Sequence, residues 1–121
     1  EELDLSYRLM DRGFRILRLF SVSVIHDETP QARIPGRWIY YGVRSRLWVA
    51  LRNLPSRYVL THTLLWGGYY FVMALKNRHP FFFLRGVRDA LQGVPGVLAQ
   101  RRAISEGTIT RLKSLSGRIY Y

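Results

Sequence analysis

Apolar and polar positions alternate along this chain with two different periods, and the change between them divides it into elements. Residues 3–12 have the spacing of an amphipathic helix, and Gly13 follows where a left-handed residue would close it. Within residues 15–25, valines alternate with serines, which predicts a strand with one covered and one polar face. The first part of the chain is therefore expected to be a helix followed by a strand.

Helical spacing dominates the rest of the chain. A polar loop with two prolines and a glycine covers residues 27–36, and helical spacing then runs over residues 38–54, up to Pro55. It returns over residues 82–100, where internal glycines and a proline weaken it, and Ser105 is a good N-cap for a last helix. The sequence thus predicts a mostly helical region after its N-terminal part.

Residues 58–75 form a run of 18 positions without a charged side chain, bracketed by Arg57, Lys76 and Arg78. As a helix the run would be about 27 Å long, slightly less than the roughly 30 Å hydrocarbon core of a bilayer. Its glycines and threonines dilute the apolar character, while its tryptophan and tyrosines prefer the headgroup boundary. The pattern favours a helix lying in the membrane interface, and burial in a protein core or membrane spanning are the alternatives.

Composition and charge restrict the function. With 121 residues and 48% apolar content the chain can form one modest core, and without cysteine it can form neither disulfides nor cysteine-ligated zinc sites. The formal net charge of +11 indicates an anionic partner. Between Glu28 and Asp89 there is no acidic residue, whereas this segment holds Arg33, Arg37, Arg44, Arg46, Arg52, Arg57, Lys76, Arg78, Arg85 and Arg88. The positive charge is concentrated in the middle of the chain.

Three carboxylates, those of Glu1, Glu2 and Asp4, stand at the start of the first predicted helix. Carboxylates stabilise a first helical turn through the helix dipole, which is one explanation for them. The alternative is chemical, because the order that follows is specific: a helix, Gly13, a predicted strand and then His26. Since no methionine precedes the acidic cluster, we interpret the chain as a fragment whose start is the cut edge of an active site.

This order resembles the closing third of the catalytic domain in glycosyltransferase family 2, whose members have a GT-A fold. The match lies in residues 1–9, 13–16 and 22–26, where an acidic pair is followed by x-Asp-Leu and a helix ending in glycine. Residues 40–44 are similar to the family's Tyr-x-x-Arg-Asn element, with Ser45 in place of asparagine. The tail over residues 84–108 is similar to the C-terminal helices of rhamnosyltransferase-like bacterial members.

The resemblance implies roles for particular residues. Glu2 takes the position of the base that accepts a proton from the acceptor hydroxyl, Glu1 orients it or the acceptor, and Asp4 caps the helix or pairs with Arg8. His26 would approach a metal ion or the diphosphate, although without the family a packed histidine is the ordinary interpretation.

Three arginines complete the site that the family implies. Arg33, Arg37 and Arg44 would bind diphosphate oxygens through their fork-shaped guanidinium groups. The alternative for each is a solvated or lipid-facing basic side chain.

The family also implies parts that this chain does not contain. Its members bind the nucleotide through an N-terminal half and hold a divalent cation, Mg²⁺ or Mn²⁺, mostly with an Asp-x-Asp element. We therefore expect the isolated chain to be inactive and to bind no sugar nucleotide tightly. The expected fold is an α/β fragment, with residues 1–28 ending the catalytic domain, 29–57 forming a mobile loop and a basic helix, and 58–121 a membrane-associated helical region.

The predicted function is sugar transfer, with inversion, from a nucleotide diphosphate sugar to a lipid-linked glycan acceptor. The setting would be synthesis of a bacterial surface polysaccharide or glycolipid at the cytoplasmic face of the inner membrane. An alternative is a small basic nucleic-acid-binding protein, which the mixture of basic and aromatic residues permits and the uncharged run disfavours. A purely structural membrane anchor is a third interpretation, but it leaves the carboxylates unexplained.

Overall fold

The computed structural model describes residues 2–17, 20–25 and 34–115 of the chain. These residues form six helices and no strand: α1 (Glu2–Asp11), α2 (Arg37–Asn53), α3 (Ser56–Lys76), α4 (Pro80–Gln92), α5 (Val94–Ala99) and α6 (Glu106–Ser114). The predicted α/β fold class, which required a strand after the first helix, is therefore wrong. The part of the chain that the structure describes is all-helical.

The predicted strand over residues 15–25 is replaced by irregular backbone in its described positions, 15–17 and 20–25. Val22 and Val24 are 59% and 85% exposed, and the alternating Ser21 and Ser23 are exposed as well, so neither face of the segment is covered. A strand needs a neighbour for its backbone hydrogen bonds, and the described ranges contain no second strand. The alternating pattern predicted side chains suited to a sheet, but residues 2–17, 20–25 and 34–115 form no sheet that they could join.

The helices follow the local signals closely. α1, α2 and α3 begin and end within two residues of the predicted segments, and Gly13 closes α1 with a φ of 85°. The single helix predicted over residues 82–100 is wrong, because it divides into α4 and α5 at Gly93. Pro95 occupies the first turn of α5, where its missing N–H costs no hydrogen bond. The Ser105 cap is confirmed, since its hydroxyl accepts the N–H of Thr108.

The central helix is α2, which packs along both α3 and α4. Its contact with α4 is close at Gly86, where an added Cβ would lie 2.8 Å from the carbonyl oxygen of Tyr40. The opposite end of α2 contributes to a buried apolar cluster with α1, α6 and the segment before α6, formed by Tyr7, Val49, Ala50, Leu54, Ile104 and Ile109. These contacts fix α1 against the C-terminal half of α2.

Most of α3 faces away from this core. Its fully buried side chains are His62 and Ala74, while many of its apolar side chains are exposed. None of the helices in the described ranges combines the length and the apolar character needed to cross a bilayer. Of the three placements considered for residues 58–75, membrane spanning is therefore not supported.

Asp11, at the end of α1, connects that helix to the start of α6. Its carboxylate accepts the backbone N–H of Ser105 at 2.7 Å and the hydroxyl of Thr108 at 2.8 Å. The Ser105 N–H is the main reason that the pKa of Asp11 lies below its ordinary value, and the Thr108 hydroxyl lowers it further. The ionised carboxylate of Asp11 thus stabilises the packing of α1 against the start of α6.

Asp11→Asn is expected to reduce the free energy of unfolding at neutral pH by about 0.5–1 kcal/mol, because the site is exposed and screened by solvent. The folded pKa of Asp11 lies below the unfolded one, so its contribution is complete above the unfolded pKa and is lost as pH falls through the folded pKa. Urea titrations at pH 7 and below pH 4 should therefore show a difference between the two proteins that disappears in acid. A difference that stays constant with pH would contradict this.

Candidate functional site

A cleft of about 730 Å³ lies where α1, the middle of α2 and the α5 segment meet. From α1 it is lined by Glu2, Asp4, Leu5 and Arg8; from α2 by Arg44, Ser45, Trp48, Val49 and Arg52; and from the third side by Gly93, Gly96, Val97 and Gln100. Such a volume is typical of small-molecule sites. The walls combine carboxylates, guanidinium groups and one indole.

The two carboxylates of the cleft have different surroundings. Asp4 is held by three donors: Arg8 Nη2 at 2.6 Å, Asn53 Nδ2 at 2.6 Å and, more distantly, Arg52 Nη1 at 3.6 Å. The predicted pairing of Asp4 with Arg8 is confirmed, and Asp4 also connects α1 to the end of α2. Glu2 lies two residues earlier with an exposed side chain on the cleft wall. Glu2 is thus the solvent-accessible carboxylate, whereas Asp4 is a structural one.

Three aromatic rings surround the guanidinium group of Arg44 in the cleft. Its guanidinium Cζ lies 5.1, 5.0 and 4.7 Å from the ring centroids of Tyr40, Tyr41 and Trp48, and Nη1 donates to the Tyr40 hydroxyl at 3.0 Å. Its buried Nε has no hydrogen-bond partner within the described residues. The aromatic rings therefore fix a positive charge in the wall of the cleft before any ligand binds.

Helix α4 holds two of these aromatic side chains in place. The Tyr40 hydroxyl donates to Asp89 Oδ2 at 2.8 Å, and this bond, followed by that from Arg88, keeps the pKa of Asp89 below its ordinary value. Trp48 Nε1 donates to the carbonyl oxygen of Ala90 at 3.0 Å. Gly93 leaves space for the indole, because a Cβ there would lie 2.5 Å from it. The α2–α4 contact thus shapes the cleft.

The structure brings together only part of the predicted site. Glu2 and Arg44 line the same cleft. Arg37 is not among the residues of its walls; its Nη2 instead donates to the Tyr41 hydroxyl at 3.0 Å, and this bond lowers the pKa of Tyr41. Glu1, His26 and Arg33 lie outside the described residues.

Sequence reasoning missed Trp48 and Arg52 as members of the site. They follow Arg44 at positions i+4 and i+8, so that all three lie on one face of α2. That spacing was a usable signal. It did not show that this face borders a cleft, because that depends on where α1 and α5 pack.

The described residues do not form a metal site on their own. No cluster of three histidines, aspartates or glutamates suited to a metal ion occurs among them. Of the two cleft carboxylates, Asp4 is already paired with Arg8 and Asn53. The divalent cation implied by the family, and His26 as its ligand, therefore stay predictions, and no chemical step is assigned to the ion.

Comparisons with protein-family models, with curated proteins and with solved structures find no match to this chain. The resemblance to family 2 glycosyltransferases therefore depends on the sequence motifs around Glu2, Gly13 and His26. The resemblance stays a prediction. The cleft lined by Glu2 and Arg44 is a structural observation that does not depend on it.

Proposed function

We propose that this chain is part of an inverting, rhamnosyltransferase-like glycosyltransferase. The enzyme would transfer a sugar from a nucleotide diphosphate sugar to a lipid-linked glycan acceptor, in the synthesis of a bacterial surface polysaccharide or glycolipid. One observation carries the proposal: Glu2 and Arg44, assigned from the sequence to opposite ends of the same reaction, line a single cleft. Residues 42 positions apart meet there only through the packing of α1 on α2.

The cleft contains a carboxylate and guanidinium groups, two of the group types that this reaction would use. Glu2 accepts the proton of the acceptor hydroxyl while its oxygen forms the new bond to the anomeric carbon. The bond from that carbon to the diphosphate breaks, and the diphosphate leaves with the electron pair. Arg44 and Arg52 line the same cleft from α2 and stabilise this growing negative charge, as preorganised cations do in a partly desolvated site.

The proposed setting is the cytoplasmic face of the bacterial inner membrane, with the protein bound peripherally or inserted weakly. Many large apolar side chains of α3 and α4 are exposed, among them Leu60, Leu64, Val72, Leu75, Phe81 and Leu84. Basic side chains surround them, and the segment between Glu28 and Asp89 has no acidic residue. This combination of exposed apolar groups and positive charge suits an anionic lipid surface.

Arg44→Gln in the full-length protein tests the proposal. We expect kcat/KM for the nucleotide sugar donor to fall about 10- to 100-fold, since one charge-assisted contact with the diphosphate is lost. The measurement is a transfer assay with a panel of nucleotide diphosphate sugars and a polyprenyl-linked acceptor. Arg111→Gln, which removes the same charge from α6 outside the cleft, should leave kcat/KM unchanged. Equal losses in both variants, or transfer from no donor, would contradict the proposal.

A further inference from the structure

Helix α4 presents to solvent a stripe of five residues that no other described element covers. Phe81, Leu84 and Leu91 are 68%, 64% and 60% exposed, and Arg85 and Arg88 lie between them with exposed side chains. Their spacing of three, four, seven and ten residues places all five on one side of the helix. The opposite side, with Gly86 and Ala90, is the one that packs on α2. The stripe is thus an amphipathic face pointing away from the core.

Within this stripe lies a shallow cavity of about 400 Å³ lined by Phe81, Leu84, Arg85 and Arg88. Both guanidinium groups approach one carboxylate: Arg88 Nη2 is 2.9 Å from Asp89 Oδ1, and Arg85 Nε is 3.9 Å from Oδ2. That carboxylate also accepts the Tyr40 hydroxyl. Arg85 and Arg88 therefore share the single negative charge of Asp89, so the cavity keeps a net positive charge beside Phe81 and Leu84. A ligand in which an anionic group is joined to an apolar chain would fit this cavity.

The adjoining part of α3 extends the same character. Phe71 packs edge-on against Phe83 of α4 with ring centroids 5.4 Å apart, and the neighbouring Val72 and Leu75 are each 55% exposed. At the turn between the helices stand Lys76 and Arg78, which make no ion pair within the described residues. We call these side chains of α3 and the turn, together with the α4 stripe, the α3–α4 face.

We propose that the α3–α4 face docks on an anionic phospholipid bilayer, with a lipid phosphate between Arg85 and Arg88. Phe81 and Leu84 enter the boundary between headgroups and acyl chains beside it. The inference specifies the membrane association proposed above and does not depend on the sugar-transfer chemistry. Charge complementarity supports it, since Arg85 and Arg88 lie beside Phe81 and Leu84 in the same cavity. A nucleic acid would satisfy the arginines but would leave Phe81, Leu84 and Leu91 in water.

The test measures sedimentation of the full-length protein with phosphatidylcholine vesicles that do or do not contain phosphatidylglycerol. The double variant Arg85→Gln/Arg88→Gln is expected to bind the anionic vesicles about 10- to 30-fold more weakly, since each basic residue near the surface contributes to partitioning. The matched control Arg111→Gln/Lys113→Gln removes the same charge from α6 and should change binding less than threefold. Phe81→Ser/Leu84→Ser should weaken binding even at high salt, where electrostatic attraction is screened.

Equal losses in the two charge variants would overturn the proposal, because they would show attraction by net charge alone. Unchanged vesicle binding by the Arg85/Arg88 variant would overturn it as well. So would inorganic phosphate that competes fully with the vesicles, or an Arg85/Arg88 variant that loses binding to a random oligonucleotide but not to the vesicles. Circular dichroism on each variant shows whether it is folded. Glu2→Gln should keep wild-type vesicle binding. If the unaltered protein transfers sugar but does not bind the anionic vesicles, this inference is refuted and the proposed function stands.

Discussion

Full-length protein carrying Glu2→Gln is expected to transfer sugar about 10²- to 10⁴-fold more slowly than the unaltered protein, with a small change in KM for the donor. Glutamine keeps the size of the side chain and removes its ability to accept a proton. The other carboxylate that α1 contributes to the cleft, Asp4, is held by Arg8 and Asn53. Initial rates at saturating donor, with a polyprenyl-linked acceptor, measure the effect as kcat.

Two variants separate this chemical role from structural ones. Glu106→Gln removes an exposed carboxylate that pairs with Arg57 on the surface and should leave kcat unchanged. Asp4→Asn weakens the contacts with Arg8 and Asn53 and should lower the melting temperature. If Glu2→Gln retains full turnover, or if Glu106→Gln loses as much, Glu2 is not the base.

Gly86→Val is expected to lower the free energy of unfolding by about 1–3 kcal/mol, equivalent to a Tm decrease of about 3–15 °C. The Cβ would lie 2.8 Å from the carbonyl oxygen of Tyr40 and 3.2 Å from its Cα. These are backbone atoms, which cannot rotate away as the end of a side chain can. The helices α2 and α4 must therefore separate, and thermal unfolding followed by circular dichroism measures the cost.

Gly67→Ala is the matched control, since it also replaces a glycine inside a long helix. An added Cβ at Gly67 meets no atom within 4 Å in the described structure, so only the helix propensity changes. We expect this variant to gain about 0.5–1 kcal/mol. A Gly86→Val protein as stable as the original would show that α2 and α4 do not approach as closely as the structure indicates.

The α2–α4 contact also links stability to the site. Trp48 donates to the carbonyl oxygen of Ala90, four residues after Gly86, and Tyr40 donates to Asp89. Separating the helices would loosen both side chains and, with them, the aromatic rings around Arg44. Gly86→Val should therefore also weaken donor binding, although residue 86 is not part of the cleft.

The helices could be predicted from the sequence because their signals are local. Gly13, Pro55 and Ser105 act within a turn of their own position, and each ends or begins a helix where expected. The strand over residues 15–25 could not be decided locally, because a strand exists only beside another strand. Its valines predicted a surface suited to a sheet, and the described fold contains no sheet to receive them.

The candidate site, too, could be predicted only where local motifs were sufficient. Motifs singled out Glu2 and Arg44, and the cleft contains both. Trp48 and Arg52 were missed although their spacing from Arg44 places them on the same helix face, and Arg37 was grouped with Arg44 although its guanidinium donates to the Tyr41 hydroxyl instead. Along one helix, spacing shows which residues share a face. It does not show what that face contacts.

By itself, then, the sequence determined where most helices form and stop, apart from the division at Gly93, and where positive charge accumulates, because these properties depend on neighbours within a few residues. Only the tertiary structure decided that α1 lies against α2, so that Glu2 and Arg44 line one cleft. It also decided that α3 and α4 leave much of their apolar surface uncovered. Contacts between distant segments depend on how whole helix faces fit together, and no local pattern in the chain encodes that fit.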